Sequence, residues 1–410
     1  MKICTRILGG IWIVLAVTNV LVAQSVSDCY TLKASSGLGI PLHPASGDRA
    51  VSGRLDDGTV AKIITVGSDA GWFEIKSGDV SGWIITKYLG NKVNCPGTTT
   101  STLSVPSIGE YVIGAWNLEW FDMEKGRGFP ENTNGGPHIP ARTHQDFLTV
   151  ASIIEELGAK ILVLEEISAN SVGKSQTLDS VIAILGNSNF AYIAGTTGGE
   201  QHIAILYDKR NVTLNSSCEF DLPEKKVDNK NLFDRQPLGA HFAFTPNGQQ
   251  KNDIFVVGVH LASGQQNKKN HDEAMKQIVE KIDKIRTDGE CLPSNEQDVV
   301  IMGDFNANRF DTYQEKFWDD MEKKSWDVLA DNPTYPTTRL SGVPLAFKDS
   351  KIDYIIVSKG QKGLQGEEVN QTEATVHQEL VKNSPDNFRK FASDHVPVTI
   401  KVKVMDDTDP

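Results

Sequence analysis

Between residues 110 and 404 the chain repeats one pattern: a short apolar run fit for a buried strand, bounded at one end by Asn, Asp, Glu or His. The runs are "YVIGAWNLEWF" with Asn117, "AKILVLEEI" with Glu166, "DIFVVGVHLAS" with His260, "DVVIMGDFNAN" with Asp304 and Asn306, "KIDYIIVS" with Asp353, and "SDHVPVTIKVKV" with Asp394 and His395. One such residue is usually a cap or a turn. A set of them at the ends of several strands is different, because gathered carboxylates cost free energy unless hydrogen bonds or a cation compensate. The pattern therefore points to strands that deliver oxygen ligands and two histidines to one place, where a hard divalent metal would fit.

Helical periodicity fills the gaps between runs. In "THQDFLTVASIIEEL" Phe147, Val150, Ile154 and Leu157 fall on one face, and in the segment after "GVHLAS" Met275, Ile278, Ile282 and Ile285 do the same. The segment "EKGRGFPENTNGGPHIPART", residues 124–143, has neither period and reads as a long surface loop bordering the cleft.

The start of the chain is of another kind. Lys2 and Arg6 precede an apolar run from Ile7 to Val22, then Ala23 and polar Gln24, the layout of a secretory signal over residues 1–24. A signal anchor is the alternative reading. Export past the membrane is the expectation, to the extracellular space or the cell envelope. Removal of Lys2 and Arg6 lowers the formal charge from −12 to −14, so a phosphate-bearing substrate must meet a local cation rather than a basic surface. Four cysteines remain after the signal, an even number with no CxxC pair, which favours disulfides. The expected pairs are Cys29 with Cys95 and Cys218 with Cys291.

"CPGTTTSTLSVPS", residues 95–107, is rich in Thr, Ser and Pro and reads as a tether, with the linker set at 96–108. Before it, short β-rich runs predict a barrel of about five strands filled by Val60, Ile63, Ile64, Val66, Trp72, Ile75, Trp83 and Ile84. The run from Asp56 to Leu89, with Gly71-Trp72, Gly82-Trp83 and the closing Tyr88-Leu89, resembles the bacterial SH3-like (SH3b) family. That resemblance implies an all-β domain over residues 25–95 and a cell-wall or surface ligand. The two tryptophans read equally well as core.

The motifs "WNLEW", "LVLEEI", "RQPLGAHF", "GVHLAS", "GDFNAN", "KIDYIIV" and "SDHVPV" occur in one order across residues 109–404. In that order they resemble the endonuclease/exonuclease/phosphatase superfamily, in particular its deoxyribonuclease I-like enzymes. Residues 405–410 are left as an acidic tail. The resemblance implies an α+β fold, a four-layer α/β/β/α sandwich, and a metal-dependent phosphodiesterase acting on nucleic acid, DNA first. It makes His395 the general base with Asp353 fixing its ring, and His260 the general acid. Glu166 becomes the main Mg2+ or Mn2+ ligand, with Asn117 and Asp394; Ca2+ is an alternative structural ion. Asp304 orients the attacking water and Asn306 holds a phosphate oxygen, while Asn308 is not demanded by the family pattern. Glu200 in "GGEQHIAILY" stands where such enzymes orient the acid histidine, or else is a solvated loop carboxylate. Arg235 matches a family arginine on substrate phosphate, a role suited to a planar, permanent cation. Thr337 and Thr338 are further candidates for reaching phosphate or metal.

A lipid or inositol phosphodiester, or a phosphate monoester, is the alternative substrate class. The tryptophan-bearing Gly-Asp motif of inositol phosphatases is absent, since Ile301-Met302-Gly303 precede Asp304, and the longer aspartate motif of abasic-site endonucleases is absent too. A non-catalytic surface-binding protein is the reading from another class; retention of both histidines, Glu166, Asp304, Asn306 and Asp353 opposes it. His138, His144, His202, His241 and His271 stand outside any motif and receive no role.

Overall fold

The computed structural model describes residues 29–33, 40–45, 53–66, 72–77, 80–85, 88–93, 109–123, 141–223, 226–227, 230–263, 268–291, 296–309, 316–329, 337–338, 351–359, 368–369, 371, 373–380, 388 and 392–406. The expected signal, the linker, Cys95, Gly71, nearly all of the loop at 124–143 and the last four residues lie outside them. The chain divides into two compact units, Met1–Val105 and Pro106–Pro410.

In the first unit, β1 (Cys29–Leu32), β2 (Ile40–Leu42), β3 (Gly53–Leu55), β4 (Val60–Val66), β5 (Trp72–Ser77), β6 (Val80–Ile85) and β7 (Leu89–Val93) are all short. Five of them form an antiparallel sheet in the order β6-β5-β4-β1-β7, and β2 pairs with β3. Tyr30, Leu32, Ile40, Leu42, Ile63, Phe73, Ile75 and Ile84 make its core. Ile64, expected inside, is 36% exposed: a bulge between Ile63 and Thr65 breaks the alternation. Trp72 and Trp83 are half-buried, and Trp72 packs edge-on against His43 at 4.9 Å. Cys29 is disulfide-bonded; its expected partner is outside the described residues.

The second unit holds β8 (Glu110–Phe121), α1 (His144–Leu157), β9 (Ala159–Ile167), α2 (Gln176–Leu185), β10 (Phe190–Ala194), β11 (His202–Asp208) and β12 (Val212–Glu219). After these come β13 (Lys226–Val227), β14 (Lys230–Asn231), β15 (Leu238–Phe244), β16 (Asp253–His260), α3 (Lys268–Asp288) and β17 (Val299–Asp304). Last are α4 (Lys316–Lys323), β18 (Trp326–Val328), β19 (Asp353–Ser358), β20 (Thr375–Val376) and β21 (Val398–Lys403). Two six-stranded sheets result, in the orders β10-β11-β9-β8-β21-β20 and β12-β15-β16-β17-β19-β18. The pairs β8–β9 and β16–β17 are parallel, each joined through a helix, as a parallel connection requires.

Strand alternation decides the layers. Ile113, Ala115, Ile161, Val163, Phe242, Ile254, Val256, Val300, Met302 and Ile355 meet in one core between the sheets. The opposite faces bury Leu162 and Leu164 under α1 and α2, and Phe255, Val257 and Ile301 under α3 and α4. The fold is the expected four-layer α/β/β/α sandwich. α1 buries Phe147, Val150, Ile154 and Leu157 as its spacing predicts; Asp146 Oδ2 accepts from the Thr143 backbone N at its start, and Gly158 ends it in the left-handed region. Met275, Ile278, Ile282 and Ile285 of α3 are buried likewise. The Cys218–Cys291 disulfide is formed, with Cα atoms 5.8 Å apart.

Candidate active site

Register carries the motif residues to one end of the paired sheets. In the second sheet His260 on β16 lies opposite Asp304 on β17, which lies opposite Asp353 on β19. In the first sheet Asn117 on β8 lies opposite Glu165 on β9. His395 comes in just ahead of β21, held where its backbone carbonyl accepts from Trp116 Nε1 at 2.9 Å and its N–H donates to Ser393 Oγ at 3.0 Å. Ser393 in turn donates to the Asn117 carbonyl at 2.6 Å, tying the two segments together.

The backbone is bent to make this cluster. Glu119, Trp120, Glu166 and Asn306 all have positive φ, at 47°, 51°, 61° and 49°. An extended strand would send Glu165 and Glu166 to opposite faces; the turn at Glu166 lets both join the site. Gly303, at φ 142°, has a second constraint, because a Cβ there would meet the Val259 carbonyl at 2.0 Å and Glu165 Oε1 at 2.7 Å. Only glycine admits that carboxylate beneath Asp304.

Asp353 accepts from His395 Nδ1 with both oxygens, at 2.9 and 3.1 Å, so Nε2 faces Asp394 at 3.7 Å and Asp304 at 3.9 Å. Burial disfavours charge on His395, but Asp353, Asp394 and Asp304 outweigh it and hold the ring well above its ordinary range. His260 goes the other way: burial, then Arg235 and His395, push it well below. Arg235 Nη1 donates to His260 Nδ1 at 3.0 Å, which leaves the ring's proton on Nε2, 3.6 Å from Asp304 and 4.0 Å from Glu166. Asp304 is pushed up to about 7, chiefly by burial and next by Asp353.

Asn117 Nδ2 spans Glu166 Oε1 at 3.2 Å and Asp304 Oδ2 at 3.1 Å. Glu166 Oε2 accepts from the Trp120 N at 3.0 Å and Gln201 Nε2 at 2.6 Å. Burial, then Asp394, raises the Glu166 pKa. Beneath them Glu165 is wholly buried and neither oxygen has a hydrogen bond; burial first, then Asp353 and Asp304, hold it well above the carboxylate range. Clustered carboxylates and the orphaned oxygens of Glu165 are the oxygen-rich donors a hard divalent ion takes. Glu166 and Asp394 supply carboxylates there, while Asn117 turns Nδ2 toward Glu166 and Asp304 and accepts from the Glu119 N at Oδ1, 3.0 Å away; Asp304, Asp353 and His395 also offer ligand atoms within 4.8 Å of one another. The bidentate Asp353–His395 pair serves better as a proton site, because both oxygens are already committed to the ring.

The geometry also places the remaining expected residues. Glu200 is exposed, and the Nδ1 edge of His260 accepts from Arg235. Arg235, expected on substrate phosphate, spends Nη1 on His260 and on Gln201 Oε1 at 2.9 Å. Thr337 is fully buried and accepts from the backbone N–H groups of Ile352 and Asp353, so it aligns Asp353 rather than reaching phosphate. Thr338 bridges His395 through backbone pairing. Asn306 keeps its place beside Asp304 Oδ1 at 2.8 Å and donates Nδ2 to the Leu261 carbonyl, also at 2.8 Å. Residues missed in the sequence are Glu165, Gln201, Ser393 and Arg142, which donates to the carbonyls of Leu118 and Glu119 at 3.0 and 2.7 Å. Glu165 sat in plain view beside Glu166; the other three carry no sequence signal.

Fold and site together define a four-layer sandwich whose cleft gathers buried carboxylates and two histidines. Residues 115–395 match the Endonuclease/Exonuclease/phosphatase family, and the chain belongs to it, a family of phosphoesterase hydrolases that generally depend on a divalent metal. No curated protein matches the chain. Among solved structures, the human Nocturnin catalytic domain with bound sulfate is 13% identical at TM-score 0.47, over 72% of this chain and 95% of that one. D. rerio TDP2 complexed with single strand DNA product is 13% identical at 0.48, over 72% and 98%. The Bacteroides thetaiotaomicron mannosyl-6-phosphatase is 17% identical at 0.43, over 71% and 99%. The family match, not these likenesses, carries the membership.

Proposed function

We propose that this protein is a secreted, metal-dependent phosphodiesterase that cleaves nucleic acid, DNA first. The observation that supports it most is the His260–Asp304–Asp353 row, with His395 clamped by Asp353 and the Glu166–Asn117 pair across the cleft. A divalent ion would be held by Glu166 and Asp394, with Asn117 joining them if its amide turned Oδ1 inward, and would supply positive charge to the phosphoryl oxygens. With His395 held charged by Asp353, Asp394 and Asp304, the Asp304 carboxylate, 3.9 Å from Nε2, takes the proton of the attacking water. His260 keeps one N–H, at Nε2, and donates it as a hydrogen bond to a phosphoryl or leaving oxygen. The leaving oxygen takes its proton from solvent water, since the expected general-acid role of His260 needs a second ring proton that burial and Arg235 disfavour. Asn306 orients the loop after Asp304 and offers its remaining amide hydrogen to phosphate. The acidic surface fits because cation is supplied at the site alone.

Export rests on the layout of residues 1–24, and a wall or surface ligand for the first unit rests on its SH3b resemblance. Binding of the mature chain to cell-wall sacculi, lost when residues 25–95 are removed, is the expected outcome; equal binding without them would dismiss that ligand.

Protein lacking residues 1–24 is incubated with supercoiled plasmid, RNA, sphingomyelin and inositol phosphates, with Mg2+, Mn2+ or chelator. Plasmid nicking that needs metal and is lost in His260→Ala and Asp304→Ala is expected. Intact plasmid alongside hydrolysed sphingomyelin or inositol phosphate would move the protein to the lipid-type branch.

A further inference from the structure

The second sheet has another cluster at its far end. His241 on β15, Asp253 at the start of β16 and Glu296 just before β17 bring their ligand atoms within 4.8 Å of one another, all buried. Asp253 and His260 are the two ends of β16, seven residues and about 23 Å apart, so this cluster is separate from the catalytic one. His241 and Asp253 point to the helix-side face, as their neighbours Phe255 and Val257 do.

His241 Nε2 is 3.1 Å from Asp253 Oδ1 and 3.9 Å from Glu296 Oε2. The residue is 2% exposed, and its Nε2 is buried with no hydrogen-bond partner. Among the described residues no Lys or Arg forms an ion pair with Asp253 or Glu296. Asp298 adds a third buried negative group beside Glu296. Two adjacent buried carboxylates without a fixed cation are costly. The cost is met either by a proton shared between them or by an ion.

We propose that His241, Asp253 and Glu296 form a second divalent-cation site, of the transition-metal kind that takes one imidazole and two carboxylates, with Zn2+ the best fit. Ligand atoms about 2.0–2.1 Å from a tetrahedral ion lie about 3.4 Å from each other; the separations of 3.1 and 3.9 Å bracket that value. An imidazole nitrogen selects Zn2+ over the hard Mg2+ of the catalytic end. Cys291 is joined to Cys218 on β12, Ser216 Oγ donates to the Cys291 carbonyl, and Ser216 is the cross-strand neighbour of His241. Glu296, five residues after Cys291, accepts from the Asp298 N with Oε1 at 2.6 Å, so that its other oxygen faces the histidine. An ion there ties β15, β16 and the lead-in to β17 together. Glu296 is pushed up to about 10 by burial and by Asp253 when no cation is present, so the ion displaces a proton as it binds.

The test compares the mature protein, Glu166→Gln and Glu296→Gln, each stripped with chelator and dialysed against Zn2+, by metal counting and thermal melting. Parent and Glu166→Gln should hold the far-end ion, with a Zn2+-induced rise in Tm of about 5 °C at a hundredfold excess over Kd. Glu296→Gln should hold one ion fewer, lose that rise, and cut substrate with Mg2+ as the parent does. Equal ion counts and equal Tm shifts in parent and Glu296→Gln would overturn the site and assign the pair to a shared proton. Crystals of the parent soaked in Zn2+ decide independently of whether the variant folds: an anomalous peak beside His241 Nε2 supports the site, and none there refutes it.

Discussion

At the scale of single residues, what matters is which atom each side chain is allowed to present. Asp353→Asn keeps the shape but replaces a carboxylate that accepts from His395 Nδ1 with both oxygens, so turnover should fall about 10²- to 10⁴-fold with little change in Tm; unchanged plasmid nicking would remove the pair from the mechanism. Gln201→Ala frees Glu166 Oε2, and the Mg2+ midpoint for activity should rise about 10- to 100-fold, measured by metal titration of the rate. Far from the site, Asp208 is fully buried and accepts from Arg210 Nε at 2.8 Å and Lys160 Nζ at 3.1 Å. Burial opposes its charge, but these bonds win and its pKa sits below the ordinary 3.8. A depressed carboxyl stabilises the fold above its unfolded value and loses that contribution as pH falls through the folded one. Asp208→Asn should therefore cost about 2 kcal/mol at neutral pH, and denaturant melts of the two proteins should converge below pH 3.8. His260, His395, Asp304, Asp353, Glu166 and Asn117 were legible as residues because motif order marks them. Gln201, Ser393 and Arg142 were not, since each acts through a partner 24 to 276 positions away.

At the scale of elements, the period of apolar residues located strands and helices, as in α1 and α3, but not the places where a strand stops being regular. β8 and β9 bend at Glu119, Trp120 and Glu166, and nothing in "WNLEW" or "LEEI" announces positive φ. Gly303 is the one place where the requirement shows as a residue type. Gly303→Ala should destabilise by about 3 kcal/mol or more and impair catalysis, because the strand that carries Asp304 would have to leave the Val259 carbonyl; a wild-type melting curve would contradict the clash. The Cys218–Cys291 bridge spans 73 positions, and its loop-closure contribution is about 4 kcal/mol. Cys218→Ser with Cys291→Ser should lower the denaturant midpoint by a corresponding amount, read by tryptophan fluorescence, while Mg2+-dependent cutting persists below the transition.

At the scale of the whole molecule, two sheets stacked face to face put six strand ends in one cleft, and that juxtaposition makes weak local signals into a site. The sequence by itself determined the alternation of strands and helices, the order of the motifs and the residue types at each strand end. These are local or periodic properties, which composition and spacing express directly. Only the tertiary structure decided that Glu165 lies beneath Asp304, that Arg235 holds the Nδ1 edge of His260, that the two histidines are pushed in opposite directions, and that His241 meets Asp253 and Glu296. Each of those depends on register between strands far apart in the chain and on the low dielectric they enclose, where a charge is set by every neighbour at once.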